Sequence, residues 1–309
     1  MNFLFRTIAL RNVFLSSIPA PVRYMLVSTA AFAAMNALVK ALPHLPAMEL
    51  VMFRCGISLC LCLLWLQRER ADWRGVNRKL LWARGLFGTT ALFTFFITLK
   101  TMPLGSAVTI QYLSPVFTAI IGIFWLGERV RAVQWLFFVL SFSGVLLIKG
   151  FDVRIKTIPL LIGIASAVAS GMAYNVVRTL RRSEHPVVVV LHFQIFGFLC
   201  GAAYCLFHWV TPSLSDVLLL LLIGIFTQIG QVNLTKALQG DKVANVSVYN
   251  YLGILYALFF GWLFFEEQYT LPALAGVGMV LVGVLLNYLY QTRQLKNHTP
   301  ESHLTAFDD

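Results

Sequence analysis

The sequence predicts an all-α integral membrane protein whose ten transmembrane helices form two inverted repeats of five. Three observations carry that expectation. Charged residues make up 12% of the 309-residue chain and hydrophobic residues 59%, with a mean hydropathy of +0.77; a soluble domain has about 25% charged residues. Apolar segments recur near 22–41, 47–66, 80–99, 104–126, 133–149, 158–178, 187–208, 216–236, 243–264 and 271–290, close to the roughly 20 residues that a helix needs to cross a hydrocarbon core about 30 Å thick. The two halves also align on each other at an offset of 139 residues.

That offset rests on residue types that seldom coincide in an apolar chain. Asn36 falls on Asn175, Gly85 on Gly224 and Phe87 on Phe226, while Tyr112, Gly122 and Glu128 fall on Tyr251, Gly261 and Glu267 without a gap. The run from Gly144 to Leu147 falls on Gly283 to Leu286. Five spans per copy is an odd number, so the second copy must enter the membrane upside down. The expected organisation is a cytoplasmic lead over 1–21, a first repeat over 22–149, a second over 158–290 and a polar cytoplasmic tail over 291–309. Arg11 interrupts the apolar stretch of the lead, which argues against a signal peptide.

The net charge of +11 would point to nucleic acid in a soluble protein. Here the cations sit at the ends of spans and orient the chain instead. With the amino terminus in the cytoplasm, Arg68, Arg70, Arg74, Arg78 and Lys79 lie between spans two and three, and Arg129, Arg131, Arg181 and Arg182 mark later cytoplasmic turns. The opposing loops hold mainly Lys40, Lys100, Lys149, Arg154 and Lys156. Both termini are therefore expected in the cytoplasm, with the basic loops against lipid headgroups. Five cysteines all fall within spans and lack zinc-like spacing, so they read as small buried residues. No metal or cofactor is expected.

Helical spacing collects the polar residues into stripes. Gly224, Gln228, Gln231 and Thr235 share one face of span eight, and Asn245, Tyr249, Leu252 and Tyr256 one face of span nine. Span four aligns Ala107, Gln111, Ser114 and Thr118, and span three Thr90, Thr94 and Thr98. Such faces should turn inward, because hydrocarbon offers polar groups no partners. They serve either as interhelical ties or as the lining of a solute cavity. Pro115 removes the amide that would bond Gln111 O and should kink span four. At the matching place stand Gly253 and Ile254, so a break there would have to come from glycine. Arg54 lies within span two with no counter-ion at helical spacing, and reads as a carbonyl clamp or an anion contact. Arg84, near the cytoplasmic start of span three, can snorkel. Glu128 and Glu267, at span ends, read as helix anchors.

The run Thr101-Met102-Pro103-Leu104-Gly105-Ser106-Ala107, then Ser114-Pro115-Val116-Phe117, Leu126-Gly127-Glu128-Arg129 and, in the second copy, Phe265-Glu266-Glu267 resembles the drug/metabolite transporter superfamily, EamA type. Phe53-Arg54 and Leu81-Trp82-Ala83-Arg84-Gly85 look closest to its solute-carrier-35 group G-like members. The resemblance spans roughly 22 to 290. It implies ten helices, alternating access, and a central cavity that maps here onto Asn36, Gln111, Asn175, Gln228, Gln231, Tyr249 and Tyr256. The second proline is absent at Ile254.

The function expected is secondary transport of a small polar metabolite such as an amino acid or organic anion, by a facilitator, exchanger or exporter. The candidate substrate contacts are Asn36, Arg54, Gln111, Asn175, Gln228, Gln231, Asn245, Tyr249 and Tyr256, with Pro115 and Gly253 as hinges. A nucleobase, a nucleotide-like or S-adenosylmethionine-like solute is the alternative cargo, and a non-transporting scaffold or receptor the alternative class. An enzyme is disfavoured by the absence of a metal-ligand motif, an intramembrane acid pair or a nucleophile with its base. A monomer suffices to enclose a site, and a dimer is compatible.

Overall fold

The computed structural model describes residues 20–70, 72–126, 131–181, 183–239 and 250–297. The lead before residue 20, the tail after 297, and Glu128, Asn245 and Tyr249 lie outside the described residues. Everything described is helix or short connection, without strands. The helices are α1 (Ala20–Lys40), α2 (Ala47–Glu69), α3 (Arg78–Thr101), α4 (Leu104–Gln111), α5 (Ser114–Leu126), α6 (Ala132–Phe151), α7 (Thr157–Leu180), α8 (Pro186–His208), α9 (Leu214–Gln239), α10 (Leu252–Phe265) and α11 (Leu271–Asn297). Among the described residues, nine apolar stretches are long enough to cross a membrane, counting Leu104–Trp125 as one across the α4/α5 break. The apolar helix α10 has 14 described residues. The chain is a multi-pass membrane protein.

Helix boundaries follow local chemistry. Prolines that cannot continue a preceding helix stand at the starts of α2 (Pro46), α4 (Pro103) and α8 (Pro186). The side chain of Asn77 caps α3 by accepting from Leu80 N at 3.3 Å. Helix α2 ends on Arg70 and α10 on Glu266, both left-handed with φ of 51° and 52°.

Each strong pairing between the halves has a counterpart when the two copies are exchanged. Helix α1 packs on α9 as α7 packs on α3; α3 meets α8 as α9 meets α2; α5 lies on α7 as α10 lies on α1. The pairs α2/α8 and α6/α11 are their own counterparts. That pattern fits the two-copy organisation read from the 139-residue offset.

Small residues let helices approach closely where lipid supplies no hydrophobic drive. In α6/α11 a Cβ on Gly144 would stand 2.5 Å from Gly276 O, and one on Gly276 2.6 Å from Gly144 O. The same pair is tied by Gln134 Nε2 donating to Asn287 Oδ1 at 2.9 Å. In α2/α8 a Cβ on Gly201 would meet the backbone of Met52.

One end of the bundle is held by Glu267, 5% exposed. Both its oxygens accept from Leu104 N at 2.9 Å, Tyr269 OH donates to it at 2.6 Å, and Lys40 Nζ lies 2.9 Å away. Lys40 also donates to Met102 O at 2.7 Å. Burial, and then the bond to Glu267, push the Tyr269 phenol above its ordinary pKa, keeping it a neutral donor. The cluster thereby joins the ends of α1, α3 and α10 to the start of α4, an anchoring role for the acid. Glu267→Ala is expected to cost about 3 kcal/mol by stranding Lys40 and Leu104 N, read as a lowered melting temperature. Lys40→Met in that background should recover part of the loss.

Candidate functional site

Where the two halves meet, a cavity of about 150 Å³ opens between α1, α2, α3, α7, α8 and α9 and the breaks of spans four and nine. Its position follows from those breaks. Span four is interrupted at Tyr112 and Leu113, and Pro115 sits in the first turn of α5, where a missing amide costs nothing. Helix α10 begins at Leu252 after a turn at Tyr251, the residue that matches Tyr112. The turn therefore forms without a second proline. The two tyrosine rings stand 5.5 Å apart, and Tyr112 OH donates to Asn250 O at 2.5 Å. Gly253 is required here by space, because a Cβ would overlap the Tyr112 hydroxyl.

Of the residues singled out from sequence, Asn36, Arg54, Gln111, Gln231 and Gly253 line the cavity. Gln111 is also a tie: its Nε2 donates to Ser170 Oγ at 2.7 Å and its Oε1 accepts from Ser166 Oγ at 2.8 Å. Oδ1 of Asn36 and Oε1 of Gln231 are buried without a partner among the described residues. Asn175, the repeat mate of Asn36, is packed away from the cavity and donates to Thr118 O and Gly171 O at 3.0 and 3.1 Å. One repeat position thus holds a cavity amide in the first copy and an interhelical tie in the second.

Gln228 also lies off the cavity. Its Oε1 accepts from Ser58 Oγ at 2.5 Å, and Ser58 Oγ accepts in turn from Gln194 Nε2 at 2.8 Å, a polar chain across α9, α2 and α8. Gln228→Leu is expected to destabilise by about 1 to 2 kcal/mol while leaving the KM for transport unchanged. Thermal denaturation alongside uptake kinetics checks it. Tyr256 stacks on Phe260 at 6.4 Å and does not line the cavity. The threonines of span three satisfy themselves: Thr90, Thr94 and Thr98 each donate to a carbonyl three or four residues earlier, so Thr90 can be exposed on the bundle surface.

Two arginines dominate the cavity's charge. Arg54 is 1% exposed, donates from Nε to Thr227 Oγ1 at 2.8 Å, and has its guanidinium carbon 5.6 Å from the Phe193 ring centroid. Arg84 does not snorkel. It is buried, turned into the cavity, with its guanidinium carbon 4.3 Å from the same ring. Gly88, one turn on, makes room, because a Cβ there would overlap Arg84 Nη1. The arginine–glycine pair at i, i+4 is the sequence signal that could have found it. Nη1 of Arg54 and both Nε and Nη1 of Arg84 have no hydrogen-bond partner among the described residues. No carboxylate is among the described lining residues. An aromatic-walled cavity with two desolvated cations and unpaired amide oxygens is equipped to bind a small anionic or zwitterionic solute.

The sequence matches the profile of the EamA-like transporter family twice, over residues 21–150 and 157–289. The chain belongs to the EamA-like transporter family. Among the curated relatives of this transporter, the pseudopaline exporter CntI of Pseudomonas aeruginosa is 31% identical over 257 residues, covering 82% of this chain and 90% of that protein. Human solute carrier family 35 member G1 is 27% identical over 293 residues, covering 87% of this chain and 80% of that one. A solved crystal structure superposes with a TM-score of 0.62 at 20% identity, covering 87% of this chain and 98% of its own, and shows the shared fold. These relatives are transporters and exporters rather than enzymes, and the EamA-like transporter described here is a transporter of small molecules.

Proposed function

We propose that this transporter carries a small organic anion, an amino acid or organic acid, through the central cavity by alternating access, with a carboxylate seated on Arg54. The observation that carries the reading is the buried guanidinium of Arg54, anchored through Nε and unpaired at Nη1. A buried ion costs several kcal/mol, and an arriving carboxylate offsets that cost with charge-assisted hydrogen bonds. Asn36 and Gln231 line the same cavity and carry unpaired oxygens that suit the donors of the cargo. A neutral nucleobase would occupy the aromatic walls and leave the cation uncompensated, which ranks it below an acid.

The tyrosine breaks beside Pro115 and Gly253 are the places for the two halves to flex against each other. With both termini cytoplasmic and the protein in a cytoplasmic membrane, the Lys40/Glu267 end faces away from the cytoplasm. Likeness to an exporter favours outward movement of cargo. The test is counterflow in proteoliposomes preloaded with unlabelled amino acids, organic acids, nucleobases or nucleosides. Saturable exchange of labelled acids is the expected result. Exchange of nucleobases or nucleosides alone would displace this reading.

A further inference from the structure

Arg84 is a second cation in the same cavity, and the carboxylate contact assigned to Arg54 leaves it unanswered. Both guanidinium carbons approach one ring, at 5.6 and 4.3 Å from the Phe193 centroid, so their separation cannot exceed the sum of those distances. At such a separation two like charges in a desolvated site repel each other. A structural clamp would spend its donors on carbonyls, yet Nε and Nη1 of Arg84 are buried with no partner among the described residues. The cavity that Arg84 lines holds no carboxylate among the described residues. A cargo with one acidic group neutralises one guanidinium and leaves the other desolvated and uncompensated.

We propose that the cargo carries two acidic groups, one received by Arg54 and one by Arg84, with the Phe193 ring as the wall between the two contacts. The inference rests on the anion reading and narrows it to solutes with two ionised acidic groups, with a neutral or ammonium-bearing backbone between them. A short dicarboxylate fits that spacing. Matching two charges discriminates against the half-amide of the same shape, because the amide leaves a buried cation unpaired.

The experiment is a thermal-shift titration of the purified full chain with matched pairs: glutamate against glutamine, and succinate against succinamate, with simple monocarboxylates alongside. The parent protein should bind the diacids at least about tenfold more tightly than their half-amides. Arg84→Gln should erase that preference, and Arg84→Lys, which keeps the charge, should keep part of it. Without ligand, Arg84→Gln should melt no lower than the parent, a readout that a structural clamp would fail. The acid and half-amide comparison needs no variant, so a misfolded substitution leaves the test intact. Equal binding of diacid and half-amide, or a preference that survives Arg84→Gln, overturns the inference. Monocarboxylates bound through Arg54 without preference for a second charge would overturn it and leave the anion reading standing. Binding of no acid at all overturns both.

Discussion

Arg54→Gln is expected to reduce kcat/KM for transport of an acidic solute by about a hundredfold, the effect of truncating one partner of a desolvated charge pair. The reason is the geometry around the guanidinium. Thr227 Oγ1 holds Nε at 2.8 Å, and the rings of Phe96 and Phe193 stand 5.7 and 5.6 Å from the guanidinium carbon, so the free Nη1 is fixed before cargo arrives. Glutamine keeps a polar group of shorter reach and loses the charge. Arg54→Lys keeps the charge and loses the planar fork, and should fall between the two. Removing an unpaired buried cation is not a stability loss in itself, so the glutamine variant should melt close to the parent, offset only by the lost Thr227 bond of about 1 kcal/mol. Initial rates in proteoliposomes, normalised to folded protein, decide it. Undiminished transport by folded Arg54→Gln would remove the anion contact from this site.

The second large effect is structural. Gly144→Leu should destabilise the protein by about 3 kcal/mol or more, against about 1 kcal/mol for Gly144→Ala where the helices can shift slightly. The Cβ position of Gly144 stands 2.5 Å from Gly276 O and 2.9 Å from Val280 N, backbone atoms that cannot swing aside. A leucine there must push α6 and α11 apart, and the Gln134 bond to Asn287 opens with them. The pair lies away from the cavity, so whatever protein folds should transport with an unchanged KM. Denaturation in mild detergent, followed by loss of helical signal, measures the effect. An unchanged transition in Gly144→Leu would contradict the crossing described above.

The composition and the 139-residue offset made the helices and their two-copy organisation legible, because a bilayer admits so few solutions. Every span must satisfy its own backbone, and a run of roughly 20 apolar residues has little choice but helix. The break in span four was legible too, because proline lacks an amide wherever it stands. The matching turn at Tyr251 was less so. It depends on Tyr112 reaching Asn250 O from the other half of the molecule, a contact between residues 138 positions apart in sequence.

Sequence periodicity placed Gln111 and Gln231 on inward faces, the family resemblance mapped the cavity onto Asn36 as well, and all three line it. The stripe of span eight also held Gln228, and the resemblance also mapped onto Asn175, yet both tie helices together. Helical spacing says which residues share a stripe, and it is silent on whether the facing element is another helix or an opening.

Composition and the internal repeat are enough to establish that this chain spans the membrane many times, in two related halves, with most of its charges at helix ends. Which of the polar groups tie the bundle together and which line the cavity depends on how the helices face one another in the fold. Arg84 makes the difference concrete. From sequence it sits near a span end and can snorkel; in the fold, Gly88 leaves room and Phe193 supplies a face, and the guanidinium turns inward beside Arg54. A charge near the edge of a membrane has two low-energy destinations, water and a buried partner, and the neighbouring helix chooses between them.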